Sequence, residues 1–265
     1  MKSLTRHIPN FFTCISLLFG FYAAILGISG RYWEAMVCIF CAAVFDFADG
    51  LAARSLKAYS DLGKELDSLS DVVSFGVAPG MMVFSFIDKL LLDMPSDDFF
   101  NCKILLLSAF VVPVFSALRL AKFNIDKRQK TSFIGLPVPA HAMLWSSFIT
   151  VLATDGLWDY GVFPQFADLL ATVPSKFILT SLSGLVVVTS VLMVSEIPMF
   201  SLKISSLSWK ANKLPYILIA SAVQFIILFG VLGITLTILF YILLSVFSIS
   251  HRKAEHHANV MSIMK

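Results

Sequence analysis

The amino-acid sequence predicts an all-α, polytopic membrane bundle of about eight transmembrane helices, and two observations predict it. Of the 265 residues, 58% are hydrophobic and only 14% are charged. Ordinary soluble domains run near 45–50% apolar and about 25% charged. Mean hydropathy is +0.85. The apolar residues also gather into eight runs, approximately 11–28, 33–53, 66–87, 103–121, 137–154, 177–195, 214–231 and 233–250. Each is close to the ~20 residues that a helix needs to cross a bilayer. The net charge of +3 is too small to suggest nucleic acid as a partner.

The first run begins near Phe11 and reaches Ile28, too long for the apolar region of a cleaved signal peptide. Ile8-Pro9-Asn10-Phe11-Phe12-Thr13 leads into it, where Asn10 suits a helix N-cap and Thr13 a helix start. The second run ends with Asp46, Asp49 and Arg54 in its last turns, and the third carries Asp67 and Asp71 in its first turns. Arg119, Lys122 and Asn124 close the fourth. Pro137 and Pro139 open the fifth, in which His141 reads as a helix-packing residue. The sixth leads into Ser195-Glu196-Ile197-Pro198-Met199, and the last two meet at Gly230-Val231-Leu232-Gly233, a tight helical hairpin. Residues 1–250 form one membrane domain, and 251–265 a basic, polar tail with His256 and His257. The 155–176 connection carries Gly156, Gly161, Pro164 and Pro174 and reads as an outer loop. Cys38 and Cys41 form a C-x-x-C inside an apolar run, without the strand–turn context of a redox motif, so buried inert thiols are expected.

With the N-terminus inside, sixteen lysines and arginines fall on cytoplasmic ends and loops, among them Arg54, Lys57, Arg119, Lys122, Lys127, Arg128, Lys203 and Lys210. Only Arg31, Lys89, Lys103 and Lys176 fall on the other side. That asymmetry places both termini in the cytoplasm. The ends of the second and third runs are then cytoplasmic too.

Those ends hold the most specific feature of the chain. It reads Asp46-x-x-Asp49-Gly50-x-x-Ala53-Arg54, eight further residues, then Gly63-x-x-x-Asp67-x-x-x-Asp71. A helix advances about 100° per residue, so Asp46 and Asp49 share one face, as do Asp67 and Asp71. Two such helices side by side point four carboxylates at one spot. Four carboxylates beside a membrane interior must be neutralised by cations, and carboxylate oxygens suit hard divalent ions such as Mg²⁺, Mn²⁺ or Ca²⁺. A cation transporter is the rival reading. Transporters place ions near the membrane midplane on broken helices, whereas these acids sit at span ends beside basic loops.

This spacing resembles the signature of the CDP-alcohol phosphatidyltransferases, with every motif position filled. The resemblance implies a membrane enzyme that uses two divalent ions, Mg²⁺ or Mn²⁺, and acts as a homodimer in a prokaryotic cell membrane. It implies that Asp46, Asp49, Asp67 and Asp71 are metal ligands and that Asp71 is also the general base. Gly50, Ala53 and Gly63 stand where the family packs its nucleotide, although small residues also favour close helix packing in membranes. Arg54 stands at the same edge. Asn10 and Thr13 match the family's P-N-x-x-T entry, which approaches the CDP diphosphate.

Three further segments are similar to the phosphatidylserine synthase branch of that family: Ser68 to Gly80, Ala117 to Asn124, and Phe133 to Ala140. This likeness implies CDP-diacylglycerol and L-serine as substrates, with Arg119 and Lys122 as acceptor-binding candidates. Glycerol 3-phosphate, inositol or choline remain alternative acceptors. An arginine fork suits a carboxylate or a phosphate, while snorkelling and anchoring are the ordinary work of basic residues at span ends. Glu196 is an acid where the family resemblance leads one to expect a neutral or basic stretch.

Overall fold

A computed structural model describes residues 7–92, 94–95, 98, 102–126, 133–153, 172–200 and 212–263, with side chains to residue 247 in the last segment. Among them the chain forms eight long helices: α1 (Ile8–Ile28), α2 (Tyr32–Ser55), α3 (Asp61–Leu92), α4 (Ser108–Ile125), α5 (Val138–Ala153), α6 (Ser175–Val194), α7 (Lys213–Phe229) and α8 (Leu232–Ile263). A 3₁₀ turn, Lys103–Leu107, leads into α4. The all-α architecture is as expected, except for one antiparallel pair of two-residue strands, β1 (Phe133–Ile134) and β2 (Pro198–Met199).

Five spans, Ile8–Ile28, Tyr32–Ser55, Asp61–Leu92, Lys103–Ile125 and Ser175–Val194, are long and apolar enough to cross a membrane; Val138–Ala153, Lys213–Phe229 and Leu232–Phe247 are apolar but shorter. Two boundaries differ from expectation. The third helix starts at Asp61 rather than near 66, because Ser60 caps it by accepting from the Gly63 amide at 3.0 Å. The eighth continues through the expected tail to Ile263. The α7–α8 hairpin turns at Gly230 with φ 55°. Most of the 155–176 connection, and Lys127, Arg128, Lys203 and Lys210, lie outside the described residues, as do the side chains of His256 and His257.

The helices pack through small and polar residues, as membrane interiors require when lipid is as apolar as leucine. α1 runs along α2 and also against α3. Ser16 donates to the Ala42 carbonyl at 2.9 Å, Ser70 to the Thr13 carbonyl at 3.3 Å, and Ser74 to the Ser16 carbonyl at 3.1 Å. Gly20 permits that approach, since a Cβ there would run into Ser74. Directly after Asp71, α3 changes into a π-helical turn over Val72–Val77 before resuming an α-helix at Ala78. The wider turn shifts the helical phase of the residues beyond Asp71, so Phe75, Ala78, Met82 and Val83 enter the core. His141 is fully buried, with Nε2 3.2 Å from the Thr189 hydroxyl, to which the Trp145 indole donates at 2.9 Å. It joins α5 to α6, in keeping with its reading as a packing residue.

The Phe133 to Ala140 segment has a structural reason for its composition. Gly135 adopts φ 76°, and a side chain there would strike the Met193 carbonyl. Its amide donates to the Ile197 carbonyl at 2.8 Å, and that of Leu136 to the Leu192 carbonyl at 3.1 Å. Only glycine meets both the left-handed backbone and the close approach without strain. The end of α6 and the residues after it are thereby pinned to the start of α5.

Candidate active site at the ends of α2 and α3

The last turns of α2 and the first turns of α3 bring the four expected carboxylates together. Carboxylate oxygens of Asp46, Asp49 and Asp67 all lie within 4.8 Å of one another. Asp71 lies within electrostatic reach of Asp46 and Asp67. One oxygen of Asp71, Oδ1, is buried and without a hydrogen-bond partner among the described residues. Asp49 is only 7% exposed, and the Thr13 hydroxyl donates to its Oδ2 at 2.5 Å. That bond fixes one carboxylate of the group from α1.

Among the described residues the ion pairs are Arg31–Glu34, Lys122–Glu196 and Lys176–Asp98, and none involves these four acids. Like charges at such separations repel strongly in a poorly solvated setting. A hard cation binds carboxylate oxygens at about 2.0–2.6 Å, so oxygens within 4.8 Å of one another can share one. Asp71, with its buried and unpartnered oxygen, lies outside that group of three. The donor set fits divalent metal.

A cleft of about 370 Å³ opens beside the acids, within the range of small-molecule sites. Asp49 and Asp67 line it, together with Asn10, Thr13, Gly50, Ala53, Arg54 and Gly63. The two readings of Asn10 part here. The helix begins at Ile8 with His7 as its cap residue, so Asn10 is inside the first turn and is not the N-cap. A Cβ on Gly63 would stand 2.9 Å from the Asn10 Oδ1, which places that amide against Gly63. Gly50, by contrast, serves no close helix contact, because a Cβ there would meet only the Arg54 guanidinium, at 3.9 Å. Its missing side chain leaves cleft space.

Arg119 of α4 is 6% exposed, with Nε and Nη2 buried and unpartnered among the described residues. These two nitrogens form one edge of the guanidinium. Arg31 uses the same edge to hold Glu34, at 3.1 and 2.9 Å. The Phe123 ring lies 5.2 Å from the Arg119 Cζ, and Asp71 and Tyr241 lie within its electrostatic reach. Lys122 does not accompany it as expected. Its ammonium donates to the Val194 carbonyl at 3.2 Å and to Glu196 Oε1 at 3.0 Å. Asn124 binds the Ser68 hydroxyl at 2.9 Å and so ties α4 to the helix bearing Asp67 and Asp71.

Sequence reasoning missed several residues at this site. Tyr59 and Lys64 line the cleft from within the stretch between Arg54 and Asp67, where the motif specifies little but spacing. Tyr241 comes from α8, its hydroxyl donating to the Phe200 carbonyl at 3.1 Å, and no pattern in the sequence marked it. All four cysteines are free thiols, with no partner among the described residues.

Comparison with known proteins bears on this geometry. Residues 6–164 match the family model described as CDP-alcohol phosphatidyltransferase. The chain is 37% identical over 138 residues to a CDP-diacylglycerol–serine O-phosphatidyltransferase of Bacillus subtilis, covering 51% of this chain and 72% of that protein. It is 32% identical over 204 residues to the enzyme of the same name from Mycobacterium tuberculosis, covering 72% of this chain and 60% of that one. An archaetidylserine synthase of Methanothermobacter thermautotrophicus is 33% identical over 151 residues, covering 56% and 60%. The matched stretch holds the four aspartates, the cleft and Arg119, while Glu196 and Tyr241 lie beyond the family model.

Proposed function

Because this chain belongs to the CDP-alcohol phosphatidyltransferase family, we propose that it transfers the phosphatidyl group of CDP-diacylglycerol to the hydroxyl of L-serine. The products are phosphatidylserine and CMP. Relatives that carry the serine-transferase name support the acceptor. The observation that carries the reading is the Arg119 edge, buried and unpartnered, within electrostatic reach of Asp71. One group suits a carboxylate and the other a hydroxyl proton, and serine brings both.

The chain's residues divide the work. Asn10, Thr13, Gly50, Ala53, Arg54 and Gly63 line the cleft that receives the CDP moiety, Thr13 also holding Asp49 in place. Asp46, Asp49, Asp67 and Asp71 would hold two divalent ions, Mg²⁺ or Mn²⁺, which would supply Lewis-acid stabilisation to the charged diphosphate. Arg119 takes the serine carboxylate with its Nε–Nη2 edge. Asp71 accepts the hydroxyl proton as the serine oxygen forms its bond to the lipid phosphorus. The bond between that phosphorus and the bridging oxygen breaks, and CMP leaves with the electron pair.

Gly50→Val tests the donor cleft. The added side chain points into open space, so the expected result is a KM for CDP-diacylglycerol raised tenfold or more with an unchanged thermal unfolding midpoint in detergent. Equal KM values would remove Gly50 from the nucleotide site.

The protein works in this proposal as a multi-pass homodimer of the lipid bilayer, with the active site facing the cytoplasm. The sixteen-to-four distribution of basic residues supports that orientation. In a background without native cysteines, a cysteine at Asp159 should be labelled from outside intact cells, and one at Lys210 only after permeabilisation. The reverse pattern would put the site on the wrong side for cytosolic serine.

A further inference from the structure

Arg119 and Lys122 are three positions apart on α4, so their side chains leave neighbouring points of one helix face. Two cations so placed suit a single anion, and a phosphate with nearly two negative charges gains most from both. The structure divides them. Arg119 keeps an unpartnered edge, whereas Lys122 is held by the Val194 carbonyl and by Glu196.

Both of those acceptors lie where α6 ends, and that junction is fixed on either side. The Leu192 carbonyl accepts from Leu136, the Ile197 carbonyl accepts from Gly135, and Pro198–Met199 pairs with Phe133–Ile134. Glu196 therefore approaches Lys122 from a pinned backbone. A carboxylate is satisfied by one arginine fork, since two N–H groups meet two oxygens. A phosphate monoester held by Arg119 alone would keep a charge without a partner.

We propose that Glu196 is a specificity-determining residue: by holding Lys122 it withholds a second cation from the acceptor pocket, and so favours an amino-acid acceptor over a phosphate-bearing alcohol. The proposal rests on the reading that Arg119 faces the acceptor. The Lys122 and Glu196 side chains are 41% and 60% exposed, so solvent screening limits the selection to roughly threefold to tenfold.

The test compares wild type, Glu196→Ala and the double variant Glu196→Ala/Lys122→Met, each full-length in detergent with divalent metal. Glycerol 3-phosphate is the probe, and glycerol controls for the phosphate. Two readouts are taken: competition with serine-dependent CMP release, and the probe concentration that protects each protein from thermal unfolding without lipid substrate. Glu196→Ala should respond to glycerol 3-phosphate at threefold to tenfold lower concentration in both. The double variant should return to the wild-type value, and glycerol should compete equally weakly with all three. An unchanged response in Glu196→Ala, or a gain that survives loss of Lys122, would overturn the proposal. If wild type releases no CMP with serine, the acceptor assignment fails by itself, and the unfolding readout still decides the role of Glu196.

Discussion

Asp67→Asn is expected to lower CMP release by about a hundredfold or more at saturating lipid and acceptor. The substitution keeps the size of the side chain but removes a charged carboxylate whose oxygen lies within 4.8 Å of those of Asp46 and Asp49. Ion stabilisation of a displacement at phosphorus is worth several kcal/mol, and each ~1.4 kcal/mol is tenfold in rate. The same change relieves repulsion among crowded acids, so the metal-free variant should unfold at or above the wild-type temperature in chelator. Divalent metal should raise the wild-type midpoint substantially and the variant's much less. A variant with near-normal turnover would end the proposal that these acids hold catalytic metal. One that loses activity because it unfolds early in chelator would instead show a structural role.

Arg119→Lys should act on the other substrate. Lysine keeps the charge but cannot offer two N–H groups along one edge. Hydrogen bonds to charged groups contribute about 1.5–3 kcal/mol, so the serine KM should rise roughly tenfold to a hundredfold. The KM for CDP-diacylglycerol should hardly change, because Arg119 is not among the residues of the donor cleft. A parallel rise in both would mean that the substitution disturbs the fold. An unchanged serine KM would remove Arg119 from the acceptor pocket.

The contrast between these residues shows what the chain reveals before it folds. The four aspartates were legible because helical spacing alone fixes which acids share a face, and two adjacent helix ends then have to converge. The small residues beside them were legible as a set, but not in their reason. The open space over Gly50 marks a cleft, whereas the Asn10 amide against Gly63 shows close helix packing there. The first turn and a half of α3 lies outside the apolar run because Asp61-Leu62-Gly63-Lys64-Glu65 is polar, and hydropathy finds a membrane span rather than the helix that extends beyond it. Ser60 was the signal for the true boundary.

What stayed hidden depends on contacts across long stretches of chain. Lys122 meets Glu196 across 74 positions, and Tyr241 reaches the Phe200 carbonyl across 41. Neither pairing has a periodicity or a spacing rule to announce it. Thr13 is intermediate: its place in the entry motif was clear, but its bond to Asp49 crosses 36 positions. The regular geometry of helix faces thus carries the acidic cluster, while the surroundings of Arg119 are assembled from α4 and α8.

Transfer to serine is decided by a product assay with several alcohols offered in parallel. Purified protein would receive CDP-diacylglycerol and divalent metal together with L-serine, glycerol 3-phosphate, inositol or choline in separate reactions, with CMP and the lipid product both measured. Serine should give CMP and phosphatidylserine in equal amounts, the other three little CMP, and none should form once chelator is added. CMP release with glycerol 3-phosphate, inositol or choline, and none with serine, would contradict transfer to serine.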